Sequence, residues 1–165
     1  MGYDLQAVVA EAGQLRAAVR DLGSGEVAAL GQGLALVVVT EEFTDAVTDG
    51  GSAEYLGFWR LPGGFGRTLA RWSAAGPVAY VEAEYFGGVG EQTAAVWADG
   101  ALALGPVHLP SGRPFPADGS PISQALRRLG VVAGVGEDEF SAVGFGRHRS
   151  GGDWVVTGED RTGSG

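Results

Sequence analysis

The sequence predicts an α+β domain in which a single antiparallel sheet of about five strands packs with about three helices. Three observations support this fold class. Residues 78–104 form a run of strand-like segments joined by turns, and three other segments have the apolar spacing of helices. Roughly a quarter of the chain is Leu, Ile, Val or Phe, above the ~20% below which chains tend to stay disordered. The length of 165 residues fits one domain, which we place at residues 1–156, followed by a disordered polar tail at residues 157–165.

The first predicted helix covers residues 5–22. Asp4 is its candidate N-cap, and Gly23 is a natural C-terminal stop. Between them, apolar residues recur at steps of three and four, which is typical of an amphipathic helix with one stripe facing the core. The stripe consists of Leu5, Val8, Val9, Ala12, Leu15, Val19 and Leu22.

Two strands and a helix are predicted in the next part of the chain. Residues 34–39 form a short, continuous apolar run that is typical of a buried strand, and residues 53–59 alternate as a second strand would. Leu69 and Trp72 are three residues apart and indicate a helix over residues 67–75.

The middle of the chain predicts a three-stranded antiparallel meander. The glycine-rich residues 87–92 connect its first two strands, and Asp99-Gly100 is a favoured two-residue hairpin turn between the last two. The three strands cover residues 78–86, 93–98 and 101–104.

The last third of the chain begins with a proline-rich loop, predicted over residues 106–119. A helix follows, with Ser120 as its N-cap and Pro121 at its first helical position. Alternating side chains predict a strand at residues 140–145, and a last short strand is predicted at residues 154–156.

The composition excludes several kinds of chemistry. Asp and Glu total 20 against 11 Lys and Arg, all of them Arg, which gives a net charge of −9. Without Lys the chain has no Schiff-base or phosphate-loop lysine, and without Cys it has no thiolate nucleophile, disulfide or cysteine-ligated zinc. We therefore expect no cofactor and no metal ion.

The charge and the hydropathy also bear on partners. Neither half of the chain carries the basic surface that nucleic-acid binding needs. No apolar run approaches the roughly 18 residues of a membrane span, and the N-terminus lacks the basic start of a signal peptide. We expect a cytoplasmic protein whose acidic surface favours solubility or a basic protein partner. Nothing in the sequence indicates an oligomeric state.

The pair Glu82 and Glu84 is the strongest candidate for catalysis. Alternate side chains of a strand share one face, which sets the two carboxylates about 7 Å apart. Such a pair can act as general acid and base or bind a hard cation, and the spacing falls within the roughly 6.5–9.5 Å of inverting glycoside hydrolases. The simpler interpretation is that both residues face only solvent on the wet side of an antiparallel sheet.

The glycine-rich connection is a candidate binding loop. Gly87, Gly88 and Gly90 allow the backbone to approach a ligand closely, and Glu91 and Gln92 follow with polar side chains. No phosphate-binding motif is complete, because the third glycine of the dinucleotide fingerprint is missing. A plain hairpin connection is the alternative.

Arg147, His148 and Arg149 form the one dense basic cluster of the sequence. The two arginines can hold a carboxylate or phosphate bidentately, or they can pair with acids elsewhere on the chain. His148 is a candidate general base. His108 is interpreted as structural, because no second His lies at helical spacing to form a zinc site with it.

Two segments carry a resemblance to known proteins. They are Tyr85-Phe86-Gly87-Gly88-Val89-Gly90-Glu91-Gln92, with Val96-Trp97 after it, and Pro121-Ile122-Ser123-Gln124-Ala125-Leu126-Arg127-Arg128-Leu129-Gly130. Together they resemble small uncharacterised bacterial proteins of GC-rich genomes, some of which are similar to toxin-neutralising immunity proteins. The resemblance covers residues 77–150 and implies no role for any single residue.

These observations lead to three functional hypotheses. The first is a non-catalytic acidic domain that binds another protein, which the resemblance extends to an immunity-type inhibitor of a bacterial toxin. The second is a small hydrolase or transferase that uses Glu82 and Glu84 while Arg147 or Arg149 binds an anionic substrate. The third is a sensor of a small ligand without chemistry of its own.

Overall fold

The computed structural model describes residues 2–47, 65–86, 89–110, 114, 117, 119–135 and 138–144. Within these residues the α+β class is confirmed: the chain forms one antiparallel sheet, with six strands instead of about five. None of the described helices is long and apolar enough to cross a membrane. The elements in chain order are β1 (Gly2–Glu11), α1 (Ala12–Leu22), β2 (Val27–Ala29), β3 (Leu34–Val38), α2 (Glu41–Val47), α3 (Phe65–Trp72), β4 (Val78–Phe86), β5 (Val89–Ala98), β6 (Ala101–Leu109), α4 (Pro121–Arg128) and α5 (Glu139–Ala142).

The predicted meander is confirmed and is part of a larger sheet. The strand order is β2-β3-β1-β4-β5-β6, and every neighbouring pair is antiparallel. Both residues of the Asp99-Gly100 turn have positive φ, at 53° and 83°, which matches the favoured hairpin geometry. β1 lies between β3 and β4 and therefore ties the N-terminus of the chain to the middle of the sheet.

Helices cover both faces of the sheet. The α1–α3 face is the side on which α1, α2 and α3 pack, against residues such as Val8, Val37 and Tyr80. The α4–α5 face is the opposite side, where α4 packs on residues such as Leu36 and Val81. Because side chains alternate along each strand, the strands contribute to two separate apolar layers.

The predicted start of the first helix is wrong. Residues 5–10 belong to β1, and all except the half-buried Gln6 are buried, on both faces of the sheet: Leu5 and Val9 face α4 and α5, while Val8 and Ala10 face α1. A strand that is buried on both sides loses the alternation of apolar and polar residues, because all its positions are apolar. Its apolar residues then match the spacing of a helix by chance.

The helix α1 begins after Glu11, not after Asp4. The Glu11 carboxylate accepts hydrogen bonds from the backbone N–H of Gly13 at 2.8 Å and of Gln14 at 3.0 Å. These bonds, together with the weaker attraction of the nearby arginine of α1, lower the pKa of Glu11 below its ordinary value. The helix ends at Gly23 as predicted, with φ at 80°.

Two further predictions about the second half of the chain are wrong. The proline-rich segment does not begin a loop at residue 106, because Pro106 belongs to β6, which is an edge strand and can therefore accommodate a proline. Residues 140–142 of the strand predicted at 140–145 belong instead to the helical turn α5, with an Ala142 N–H bond to the Asp138 carbonyl at 2.9 Å, and residue 145 lies outside the described residues. Val143, just after this turn, is buried against the α4–α5 face, so the apolar pattern fits either structure.

Other differences concern elements that the sequence did not predict. Gly90, Glu91 and Gln92 are residues of β5 and not of a connection. The short strand β2 and the helix α2 were also not predicted, and α3 begins and ends two to three residues earlier than expected. The predicted strands at residues 53–59 and 154–156 and the tail at residues 157–165 lie outside the described residues.

The helix α4 begins as predicted and is fixed to the sheet by a buried side chain. The Ser120 hydroxyl accepts from the Ser123 N–H at 3.2 Å, and Pro121 occupies the first turn. The Gln92 side-chain carbonyl reaches across from β5 and accepts from the Ile122 N–H at 3.1 Å. Gln92 and Ser120 thus satisfy N–H groups that the helix itself leaves without acceptors.

Replacing Gln92 by alanine is expected to lower the free energy of unfolding by about 2 kcal/mol, because the buried Ile122 N–H loses its acceptor. Urea denaturation measures this change. Gln124→Ala is the matched control, since the Gln124 amide donates to the Gly119 carbonyl at a partly exposed position. We expect that control to lose less than about 0.5 kcal/mol. An equal loss in the two variants would contradict the role of Gln92 as an anchor of α4.

Tyr85 also lies on the α4–α5 face, and its hydroxyl is buried without a hydrogen-bond partner among the described residues. Burial raises the pKa of Tyr85 above its ordinary value of 10. The Gln92 side chain lies near the hydroxyl and offsets part of this rise, although the geometry between the two groups is not that of a hydrogen bond. The unfolded chain therefore loses the Tyr85 proton at a lower pH than the folded chain does.

We expect the free energy of unfolding to fall as the pH rises above about 10, because only the unfolded state ionises Tyr85 readily there. The variant Tyr85→Phe is expected to show a smaller fall over the same pH range. At pH 7 it is expected to be at least as stable as the wild type, since an unpaired buried hydroxyl has been removed. Urea denaturation at a series of pH values compares the two, and identical pH profiles would contradict the expectation.

Candidate functional site

Polar side chains gather at one end of the α1–α3 face. The strand register sets Gln6 opposite Glu82, Glu82 opposite Thr93, and Thr93 opposite His108. We call these four residues, on β1, β4, β5 and β6, the inner row. Two residues further along the strands, and on the same face, lies the outer row of Asp4, Glu84 and Glu91.

The two rows differ sharply in exposure. Glu82 and Thr93 are 0% exposed, whereas Asp4 and Glu84 are exposed and the Glu91 side chain is 34% exposed. The buried centre of the inner row is thus flanked by the acidic outer row, which forms the rim of the site. The interpretation that Glu82 and Glu84 both face solvent is wrong for Glu82, because α1–α3 lie on the side of the sheet to which it points.

Glu82 is held by a chain of side-chain hydrogen bonds. The Gln6 Nε2 group donates to the Tyr80 hydroxyl at 2.8 Å, and this hydroxyl donates to Glu82 Oε2 at 2.7 Å. Tyr80 is itself fully buried and packs edge-to-face on Phe65, with ring centroids 6.2 Å apart. This series of hydrogen bonds fixes the rotamers of all three polar residues and supplies the buried Glu82 carboxyl group with a donor.

A second chain crosses from β5 to β6. Thr93 Oγ1 lies 2.8 Å from His108 Nδ1, and His108 Nε2 lies 3.2 Å from Glu91 Oε2. This order of hydroxyl, imidazole and carboxylate fits the tautomer whose Nε2–H faces Glu91, which leaves Nδ1 as the acceptor for the Thr93 hydroxyl. A carboxylate that orients an imidazole beside a hydroxyl is the arrangement of many acyl-transfer sites, but here the hydroxyl is buried.

The alignment of Thr93 with His108 depends on an irregularity of the β5–β6 hairpin. A regular hairpin extending from the turn would set Thr93 opposite Pro106. Register shifts between Ala94 and Trp97 displace the pairing, so that His108 comes opposite Thr93 instead. The irregularity therefore aligns the imidazole, which was interpreted as structural, with Thr93 of the inner row instead of with Glu91.

Two clefts of about 430 Å³ each adjoin the first turn of α2. The first is lined by Glu26, Glu41 and Glu42, and the second by Glu41, Asp45 and Gln6, each together with small polar and apolar groups. No arginine or histidine is among the described residues that line them. Gln6 belongs both to the second cleft and to the inner row, so this cleft adjoins the row.

The structure brings together only some of the predicted site residues. Glu82, Glu84 and Glu91 share the α1–α3 face, whereas Gln92 points to the opposite face and anchors α4. Gly90 pairs with Tyr85, and a side chain at Gly90 would overlap the backbone of β4, so this glycine allows the two strands to approach. The other predicted residues lie outside the described part of the chain: Gly87, Gly88, Arg147, His148 and Arg149.

Four residues of the site were missed by the sequence analysis, and they are Gln6, Tyr80, Thr93 and His108. Tyr80 and Thr93 had a usable signal, since the predicted strands already placed Tyr80 on the face of Glu82, and Thr93 is two residues from Glu91. Gln6 had none, because its segment matched a helix.

The site offers many hydrogen-bond acceptors and few cations. The outer row and the clefts expose carboxylates, which bind ammonium or guanidinium groups well. Among the residues that the structure describes, no group of three or more His, Cys, Asp or Glu is arranged to hold a metal ion. The chain matches no protein-family model, no curated protein and no solved structure.

Proposed function

We propose that this protein is a non-catalytic acidic domain that binds a basic protein partner. The observation that carries the proposal is the set of exposed carboxylates on the outer row and around the two clefts, which we call the acidic surface. Its exposed carboxylates include Asp4 and Glu84 on the sheet and Glu41 and Asp45 on α2. Gln6 connects the two groups, because it lines the second cleft and lies two residues from Asp4 on the same face.

Electrostatics supports this partner class. The net charge of −9 attracts a basic protein over a distance of roughly one Debye length, about 8 Å at physiological salt. A field of one sign raises the association rate constant more than it raises the final affinity. At contact, arginine or lysine side chains of the partner would meet carboxylates that line two clefts instead of a flat surface.

Like-charge contacts within the acidic surface also favour a cationic partner. Glu41 and Asp45 are four residues apart on α2 and therefore share one side of that helix. Two carboxylates at this spacing destabilise a helix by roughly 0.2–0.5 kcal/mol. A bound cation relieves this repulsion, so part of the binding free energy comes from the acidic surface itself.

The buried centre of the site supports binding over catalysis. Glu82 and Thr93 are fully buried and hydrogen-bonded to their neighbours, so neither faces a substrate. The groups that do face solvent are the carboxylates of the outer row and the His108 imidazole. In this proposal the hydrogen bonds of the inner row stabilise the strands, and the carboxylates of the outer row contact the partner.

The proposal is tested by affinity capture from the native host, with this protein as bait, followed by titration of this protein with the purified partner. The variant Asp4→Asn/Glu84→Gln removes two charges from the outer row, and Asp21→Asn/Asp138→Asn removes two exposed charges elsewhere. We expect the first variant to raise the dissociation constant about tenfold and the second less than about twofold. Added salt is expected to lower the association rate constant of the wild type.

Two results of the capture and of the variant comparison would overturn the proposal. One is a capture that recovers no stoichiometric protein partner. The other is a partner that binds both variants equally well, which would place the interface away from the acidic surface. A partner whose binding is insensitive to salt would also contradict electrostatic recognition.

An immunity-type inhibitor is the specific form of this proposal that the resemblance implies. In that case the partner is a bacterial toxin, and its gene lies beside the gene of this protein. We expect the partner to arrest growth when it is expressed alone and to be neutralised when the two are co-expressed. A metabolic operon around the gene, with no toxic neighbour, would count against this form of the proposal.

A hydrolase or transferase is the second candidate, and the Thr93–His108–Glu91 chain is the observation that favours it. Together with Glu82 and Glu84, this chain gives the site a hydroxyl, an imidazole and three carboxyl groups. Assays with chromogenic esters and glycosides test for turnover. Activity that disappears in His108→Ala, while the variant stays folded, would favour catalysis, and absence of turnover on every substrate would disfavour it.

A further inference from the structure

We draw no further inference here: the strongest candidate, the exposed apolar patch of Val132 and Val135 on the loop after α4, carries nothing, because nothing in the structure shows what covers it beyond the two hydrogen bonds between Val132 and Gln32 of the β2–β3 turn.

Discussion

The variant Glu82→Ala is expected to lose about 3 kcal/mol of unfolding free energy. Two effects add up to this loss. Removal of the carboxyl group leaves the buried Tyr80 hydroxyl without the acceptor that lies 2.7 Å away. It also leaves a cavity between the sheet and the helices of the α1–α3 face, because Glu82 is among the largest fully buried side chains. Urea denaturation, monitored by circular dichroism, measures the difference.

Glu84→Ala is the matched control for this experiment. Glu84 lies two residues from Glu82 on the same face of the same strand, but its side chain is exposed. We expect the control to change stability by less than about 0.5 kcal/mol. Glu82→Gln, which keeps the shape and an acceptor for Tyr80, is expected to lose about 1 kcal/mol. An unchanged or higher stability of Glu82→Ala would mean that burying this carboxyl group costs more than its contacts contribute.

The comparison also separates stability from binding. In the proposed function the inner row supports the strands and the rim contacts the partner. Glu82 variants that remain folded should therefore bind the partner nearly as well as the wild type does, whereas Asp4→Asn/Glu84→Gln should weaken binding at unchanged stability. Glu82 and Glu84, which the sequence analysis interprets as one catalytic pair, would then have different roles.

Features of the fold that depend on neighbouring residues were predictable from the sequence. The Asp99-Gly100 turn determines a hairpin because its positive φ angles suit these two residues. The start of α4 was equally clear, since Ser120 and Pro121 favour a helix start on their own. The meander and this helix are the parts of the chain in which local chemistry and the final fold agree.

Features that depend on distant parts of the chain were not predictable in this way. β1 resembles a helix because layers on both sides bury it, and apart from α1 those layers consist of residues far along the chain. The burial of Glu82 has the same origin. The sequence of β4 shows two glutamates at alternate positions, but only the folded structure shows that one of them is buried.

The candidate site was predicted in part for the same reason. Glu82, Glu84 and Glu91 were identified because two are close in one strand and the third follows a short connection. His108 was missed because no residue pattern indicates that the β5–β6 register shifts by two positions. Its place beside Thr93 follows from the geometry of the bulge and not from its position in the sequence.

Gly105 lies within one of the two register shifts of the β5–β6 hairpin, and Gly105→Ala is expected to lose about 3 kcal/mol of unfolding free energy. Gly105 has φ at +78°, which side chains rarely adopt, and a Cβ there would lie 2.5 Å from the Val107 nitrogen and 2.8 Å from the Ala94 carbonyl oxygen. Backbone atoms cannot move aside as a flexible side chain does, so β6 must shift. We expect the shift to break the contacts of His108 with Thr93 and Glu91.

Two measurements and one control test this expectation. Urea denaturation gives the stability, and NMR spectra of the imidazole nitrogens report whether His108 keeps its single tautomer in the folded variant. Gly100→Ala is the control, because Gly100 has a similar φ of +83° but open space around the added Cβ. It should lose only about 1 kcal/mol from backbone strain and leave the His108 signals unchanged. If Gly105→Ala also leaves those signals unchanged, then the bulge does not position the imidazole, and the hydroxyl–imidazole–carboxylate chain must be held by contacts of His108 itself.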